Sequence, residues 1–277
     1  MKCRIVSDSS SNVMKVDGNV SYATVPLKII VDSTEFVDQE GVDVESLVAK
    51  MENSQLPSTT SCPNTNEWLE AFNGAENVFA ITISSQLSGS YNAAVTAAEE
   101  YRQENPGANV YVIDSLSTGG EMELIIEKLI ELMDKDMTFD EMVKAVQEYQ
   151  RSVHLLFLLQ SLSNLAKNGR LSPAVAKIAG FLGLRFLGVA SEEGTIQQES
   201  ISRGNKKALT STFEAMKKYG YNGGKVRIDH CLDLGSANKL AEKIKEEFPN
   251  ADVRIRPSTA LCSYYSERGG MILGFEC

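Results

Sequence analysis

The chain has 277 residues, of which 43% are hydrophobic and 23% charged, and a net charge of −10. That composition excludes intrinsic disorder, collagen and a repetitive fibre, and the length allows one large domain or two modest ones. Its 37 acidic residues outnumber 27 basic ones, and only residues 203–207 cluster positive charge, which speaks against a nucleic-acid backbone or an anionic membrane as partner.

No stretch reaches the roughly 18 uninterrupted apolar residues of a membrane-spanning helix. The first residues carry no apolar signal segment, so a cytoplasmic location is expected. Five cysteines (Cys3, Cys62, Cys231, Cys262, Cys277) are widely spaced without a C-x-x-C, which points to reduced thiols and neither a disulfide frame nor a zinc site.

Strands and helices alternate along the first half. The apolar run Arg4-Ile5-Val6 ends in Asp8-Ser9-Ser10-Ser11. Residues 22–31 read as a strand bent at Pro26. A helix is expected at 44–51, a Pro/Ser/Thr loop at 56–63, and a helix at 65–72 with Trp68, Leu69 and Phe72 on one face. Strands at 78–83 and 110–113 each lead through a hydroxyl-rich loop into a helix, the second covering 122–134. Thr138-Phe139-Asp140-Glu141 is a capping box opening another. This order favours βαβ units and a mostly parallel sheet.

Beyond about residue 152 the texture changes. An apolar run at 154–160 is followed by a short helix at 162–167, stopped by Asn168-Gly169. Residues 174–183 form an apolar, small-residue helix. A hairpin is expected at 184–202 around Glu192-Glu193-Gly194, then helices at 208–219 and 237–248, and strands at 225–231, 253–256 and 271–275. The boundary gives domains 1–152 and 153–277.

Several catalytic signatures are absent: G-x-S-x-G, G-x-G, the P-loop and H-E-x-x-H. What remains is hydroxyl-rich loops after strands, namely 8–11, 84–90 and 114–120, with a fourth, Ser58-Thr59-Thr60-Ser61-Cys62-Pro63, before a helix. In a parallel α/β sheet ligands bind beyond the carboxyl ends of strands. Free helix N–H groups and Ser/Thr hydroxyls there make a neutral donor nest for a small anion such as a carboxylate or phosphate. Each loop taken alone is equally well a set of helix caps. Arg170, beside the apolar 174–183 segment, is either a solvated loop cation or the partner of an amphipathic anion. His154 and His230 lie in apolar runs and read as packed core side chains.

At these residues the sequence resembles the DegV family. The stretches that carry the resemblance are Ser7-Asp8-Ser9-Ser10, Val25-Pro26-Leu27, Thr60-Ser61-Cys62-Pro63, Ser84-Ser85-Gln86-Leu87-Ser88-Gly89-Ser90-Tyr91, Asp114-Ser115, Leu162 to Leu171 and Ser202-Arg203-Gly204-Asn205. They come in family order and span nearly the whole chain. The resemblance implies a two-domain α/β fold, with a Rossmann-like N-terminal domain on a mostly parallel sheet and a C-terminal α/β domain on a mixed or antiparallel one. It also implies a long-chain fatty acid between the domains. Some members look like the fatty-acid-binding subunit of bacterial fatty acid kinase, which presents the acyl carboxylate to a separate ATP-dependent subunit for phospholipid synthesis.

Carried over residue by residue, the resemblance makes Thr60, Ser61, Ser85, Ser88 and Arg170 the carboxylate-binding set. Arg203 becomes the candidate contact for the kinase partner. No catalytic residue, metal or cofactor is implied. The chain departs from the family pattern at Cys62, where Gln is usual, at Arg185-Phe186, and in the Pro257 to Gly270 segment. There Cys262, Ser263, Tyr264 and Tyr265 stand in place of a usual histidine. The competing readings are a serine-dependent hydrolase or phosphotransferase, using Ser88 or Ser115 with His154 or His230 as base, and a lipid-responsive regulatory sensor.

Overall fold

A computed structural model of the chain describes residues 3–171, 175 and 183–277. The apolar segment at 174–183, with Phe181, therefore lies outside the described residues apart from its positions 175 and 183. Four strands, β1 (Cys3–Asp8), β2 (Ser21–Val25), β6 (Asn77–Thr82) and β7 (Asn109–Asp114), form a sheet in the order β2-β1-β6-β7. Every pairing in it is parallel, as the alternation of strands and helices predicts.

A second sheet holds β8 (Val153–Leu159), β9 (Leu184–Ala190), β10 (Ile196–Arg203), β11 (Val226–His230), β12 (Val253–Pro257) and β13 (Met271–Glu276), in the order β10-β9-β8-β13-β11-β12. It is mixed: β11 and β12 run parallel and the other neighbours antiparallel. The fold is thus α/β with one parallel and one mixed sheet.

Residues 22–31 are not one strand. Pro26 cannot donate to a ladder, and the chain changes sheet there. β2 stays in the parallel sheet, whereas β3 (Lys28–Val31) joins β4 (Thr34–Val37) and β5 (Thr59–Ser61) in a small antiparallel sheet of order β4-β3-β5.

Helices α1 (Val44–Asn53), α2 (Thr65–Phe72) and α3 (Ser90–Glu104) precede α4 (Gly119–Met133) and α5 (Phe139–Tyr149). The α5 capping box is formed as expected, and α2 has another between Asn64 and Glu67. Trp68 and Phe72 of α2 and Ala94, Ala97 and Ala98 of α3 bury one face of the parallel sheet, and Ile125 and Leu129 of α4 with Met142 and Val146 of α5 bury the other.

The remaining helices are α6 (Ser163–Lys167), α7 (Asn205–Lys218), α8 (Leu234–Glu247) and α9 (Ala260–Ser266). α7 and α8 cover one face of the mixed sheet through Phe213, Met216, Leu240 and Ile244. α4 lies between the two sheets, and ten of its residues from Gly119 to Leu132 are buried. Its approach to the mixed sheet is backbone on backbone: a Cβ on Gly120 would stand 2.4 Å from the Arg227 carbonyl oxygen, and one on Gly274 2.2 Å from the Glu121 nitrogen. Among the described residues no helix is long and apolar enough to cross a membrane.

Candidate functional site

The hydroxyl-rich segments 8–11, 84–90 and 114–120 follow the carboxyl ends of β1, β6 and β7, and two carboxylates, Asp8 and Asp114, hold the 84–90 loop among them. Asp8 ends β1, and its Oδ2 accepts the Ile83 amide at 2.9 Å and the Ser90 hydroxyl at 2.7 Å. The 84–90 loop is therefore gripped just before it starts and again where it becomes α3. Asp114, ending β7, adds a third hold, its Oδ1 accepting the amides of Ser85 at 3.1 Å and Leu116 at 3.0 Å. Burial pushes the Asp8 carboxyl up, and the hydroxyls of Ser10 and Ser90 pull it back by bonding to its charged form.

The other half supplies a helix that sequence patterning does not reveal. α9 sits inside the 257–270 segment, and its first turn is capped from the far end of the chain. Asp38 Oδ1 accepts the Ala260 amide at 2.6 Å, and Asn12 Oδ1 accepts the Thr259 amide at 2.9 Å and its hydroxyl at 2.7 Å. Both caps are fixed only by tertiary structure, so no local signal announces them. α9 presents two adjacent tyrosines whose ring centroids are 4.8 Å apart, edge to face. Strand β5 and the residue before it clasp them on alternate positions: Ser58 Oγ lies 2.7 Å from the Tyr264 hydroxyl, and Thr60 Oγ1 2.8 Å from the Tyr265 hydroxyl.

Period-two geometry sorts the neighbouring candidates. Thr60 is half-buried, whereas Ser61 is exposed and lies on the opposite side of β5. Ser85 and Ser88 are half-buried in the loop; Ser88 Oγ accepts the Ser90 amide at 3.3 Å. Arg170 reaches the same loop, with Nε donating to the Leu87 carbonyl at 3.2 Å and a further nitrogen to the Asn168 carbonyl. The structure therefore gathers Thr60, Arg170 and the loop carrying Ser85 and Ser88, and leaves Ser61 facing outward.

Beside this cluster lies a narrow apolar cavity. Its walls are Ile83 and Leu87 from the loop after β6 and Phe157, Leu159, Ile196 and Ile272 from the mixed sheet. Arg170 and Tyr265 also line it. Burial raises the Tyr265 phenol, offset by its bond to Thr60 and by the Arg170 charge. One O–H of the Thr60–Tyr265 pair is spent between the two oxygens, and the other remains to donate to a ligand.

Arg203 is exposed at the end of β10, outside this cavity. The histidines are placed elsewhere too. His154 packs against Tyr219 and Phe275, and His230 Nδ1 accepts the Asp233 amide at 3.3 Å. Ser115 donates to the Ser117 carbonyl at 3.1 Å. Among the described residues neither imidazole is hydrogen-bonded to a serine, and no group of three or more His, Cys, Asp or Glu side chains is arranged to hold a metal ion.

Comparison with known proteins matches residues 2–275 to the family described as "Uncharacterised protein, DegV family". The chain belongs to the DegV family. A DegV domain-containing protein of Streptococcus pneumoniae strain R6 is 38% identical over 279 residues, spanning 100% of this chain and 99% of the relative. Among solved structures, the fatty acid kinase B3 protein of Streptococcus pneumoniae loaded with linoleic acid superposes with a TM-score of 0.97 at 38% identity, covering 100% of this chain and 99% of the other. A DegV protein from Eubacterium eligens loaded with heptadecanoic acid gives 0.95 at 39% identity, with 99% of each chain covered.

Proposed function

We propose that this DegV chain is a non-catalytic carrier. It holds a long-chain fatty acid with its tail in the cavity between the two sheets and its carboxylate at Thr60, Tyr265 and Arg170, with Ser85 and Ser88 on the adjoining loop. It presents that carboxylate to a separate ATP-dependent fatty acid kinase in the cytoplasm, for use in phospholipid synthesis, and Arg203 contacts the kinase. The chain divides at 152/153, where the mixed sheet begins.

The observation that carries this reading is an apolar cavity lined by Arg170 and Tyr265, with Thr60 hydrogen-bonded to the Tyr265 hydroxyl. A saturated tail of about 15 methylenes gains roughly 12 kcal/mol on burial before ordering costs, so the polar end needs only to orient it. The fatty acids in the pneumococcal and Eubacterium structures support the ligand class, and the name of the former supports the kinase.

The deciding experiment compares palmitate with its methyl ester by titration calorimetry. The expected result is a preference for the acid of more than about tenfold, lost in Thr60→Val/Tyr265→Phe. Equal binding of acid and ester by the wild type would leave the hydroxyl loops as helix caps.

A further inference from the structure

Two tyrosines follow each other on α9, and only Tyr265 lines the cavity. Leu261, Cys262, Tyr265 and Ser266 form the cavity side of that helix, whereas Tyr264 is fully buried outside the lining. The Tyr264 hydroxyl lies 2.7 Å from Ser58 Oγ and accepts the Asn168 side-chain amide at 2.9 Å. Asn168 is the C-cap of α6, and Arg170, the cation of the head-group cluster, follows just beyond it.

The end of α6 builds the seat of that cation. Gly169, at φ +70, turns the chain through the left-handed region, and the Arg170 amide folds back onto the Leu165 carbonyl at 2.9 Å. The guanidinium is then held at two points, Nη1 donating to the Asn168 carbonyl and Nε to the Leu87 carbonyl. A guanidinium carries five N–H donors in a rigid fork, so three remain for an anion, and their direction follows from where the two carbonyls stand.

The Leu87 carbonyl sits on the loop that Asp8 and Asp114 anchor. The Asn168 carbonyl depends on how α6 is docked. Asn164 fixes the start of α6 on α9, its amide donating to Glu267 Oε1 at 3.0 Å and its side chain to the Tyr264 carbonyl at 2.9 Å. At the other end the Asn168 side chain donates twice, to the Asn164 carbonyl at 2.9 Å within α6 and to the Tyr264 hydroxyl across to α9. The phenol is thus the tie to α9 nearest Arg170.

We propose that Tyr264 is a positioning residue for the head group: acting through Asn168, its phenol aims the Arg170 guanidinium at the carboxylate, so that neighbouring tyrosines of one helix supply a ligand contact and the alignment of its counter-ion. The inference rests on the carboxylate reading above and extends it to a side chain that the ligand does not touch. An arginine fixed in advance loses less rotamer freedom on meeting an anion than one that is loose. Tyr264→Phe keeps the ring and its edge-to-face packing on Tyr265, and leaves the Asn168 amide its bond within α6, so it removes the tie alone.

The test titrates the full chain with palmitate and with methyl palmitate by calorimetry, in the wild type, Tyr264→Phe, Arg170→Ala and the double variant. Tyr264→Phe should weaken palmitate about three- to tenfold and leave the ester within about twofold, because the ester brings no charge to Arg170. In the Arg170→Ala background the same substitution should change palmitate less than about twofold, since the group it acts through is gone. Equal losses in both backgrounds, equal losses for acid and ester, or no loss in Tyr264→Phe would each overturn the positioning role. Asn168→Ala keeps the carbonyl that Arg170 meets and removes the amide that Tyr264 holds. It should reproduce the Tyr264→Phe effect, and it carries the same test if Tyr264→Phe does not fold. Ser58→Ala, on the other side of the phenol, should move palmitate less than about twofold. A larger effect there than in Asn168→Ala would route the phenol through β5 and overturn the proposal. A wild type that binds acid and ester equally sinks the carboxylate reading and this inference together, whereas discrimination retained in Tyr264→Phe sinks this inference alone.

Discussion

Arg227 and Glu127 meet across the seam in a two-point contact, the Arg227 Nε and Nη2 each donating to one Glu127 carboxylate oxygen at 2.7 Å. Arg227 is fully buried, and Asp252 takes a further bond from Nη2 at 2.8 Å. Losing Arg227 leaves Glu127 with Arg254 at 2.8 Å and Lys225 at 3.6 Å, so its charge stays partly compensated and the loss is mainly that of the buried hydrogen bonds. Arg227→Met should lower the unfolding free energy by about 1.5–3 kcal/mol in urea titration, and Arg227→Met/Glu127→Gln should recover part of the loss. A cost below about 1 kcal/mol would place the pair with ordinary surface ion pairs.

Gly274→Ala puts a methyl where the α4 backbone already lies, and α4 has no room to retreat between two sheets. The variant should lose at least about 3 kcal/mol or fail to fold, within the range of severe overpacking. Gly235→Ala is the matched control. It lies in the first turn of α8, where a Cβ meets only Asp233 Oδ1 at 3.9 Å, and it should gain up to about 1 kcal/mol from helix propensity. Thermal melts of the two variants side by side check both signs.

Glu121 is 7% exposed, and its carboxyl accepts one hydrogen bond, from the Ser117 hydroxyl at 2.8 Å. Burial pushes that carboxyl up to about 8 from an ordinary value of 4.5. The folded state therefore keeps a proton that the unfolded chain releases. This favours folding at low pH and costs up to about 1.4 kcal/mol per pH unit as pH rises between those two values. Glu121→Gln should remove that part of the slope, so its stability relative to wild type should improve steadily from about pH 5 to about pH 8. Parallel stability curves for the two proteins would contradict the assignment.

Head-group recognition should be unequal along β5. Tyr265→Phe or Thr60→Val removes a hydroxyl that can face the carboxylate and should weaken palmitate binding roughly tenfold to a hundredfold. Ser61→Ala, on the outward side, should change it less than about twofold. Calorimetry on the three variants separates the two sides, and a large Ser61→Ala effect would reverse this placement.

Much of the frame is legible in the sequence because its causes are local. The β-branched run at 78–83, the Thr138–Glu141 capping box and the Glu192-Glu193-Gly194 turn each specify their element within a few residues, and each element forms within a residue or two of its expected place. What stays hidden is held from a distance. β5 has three residues, too few to show alternation against a Pro/Ser/Thr background. α9 depends on Asp38 and Asn12, more than 200 residues away. Tyr265 is invisible as a site residue for the same reason, since only α9 brings it to Thr60. The one available signal was the departure from the family pattern in the 257–270 segment, which places the difference without choosing among Cys262, Ser263, Tyr264 and Tyr265.

The Ser84 hydroxyl donates to the Gly194 carbonyl at 2.7 Å, where the β9–β10 hairpin tip touches the loop. The tip residue has φ +84, and a Cβ there would fall 2.3 Å from Ser84 Oγ, so glycine alone admits the contact. Three residues further along, the Leu87 carbonyl takes Arg170, which belongs to the same half of the chain as the hairpin. The loop is thus pinned twice from the C-terminal part of the chain while its ends are pinned to β1 through Asp8. A rotation of one half against the other must shear the loop between its pins. The placement of one sheet against the other and the shape of the 84–90 loop are therefore one mechanical coordinate, and a force applied at the hairpin tip is felt along that loop.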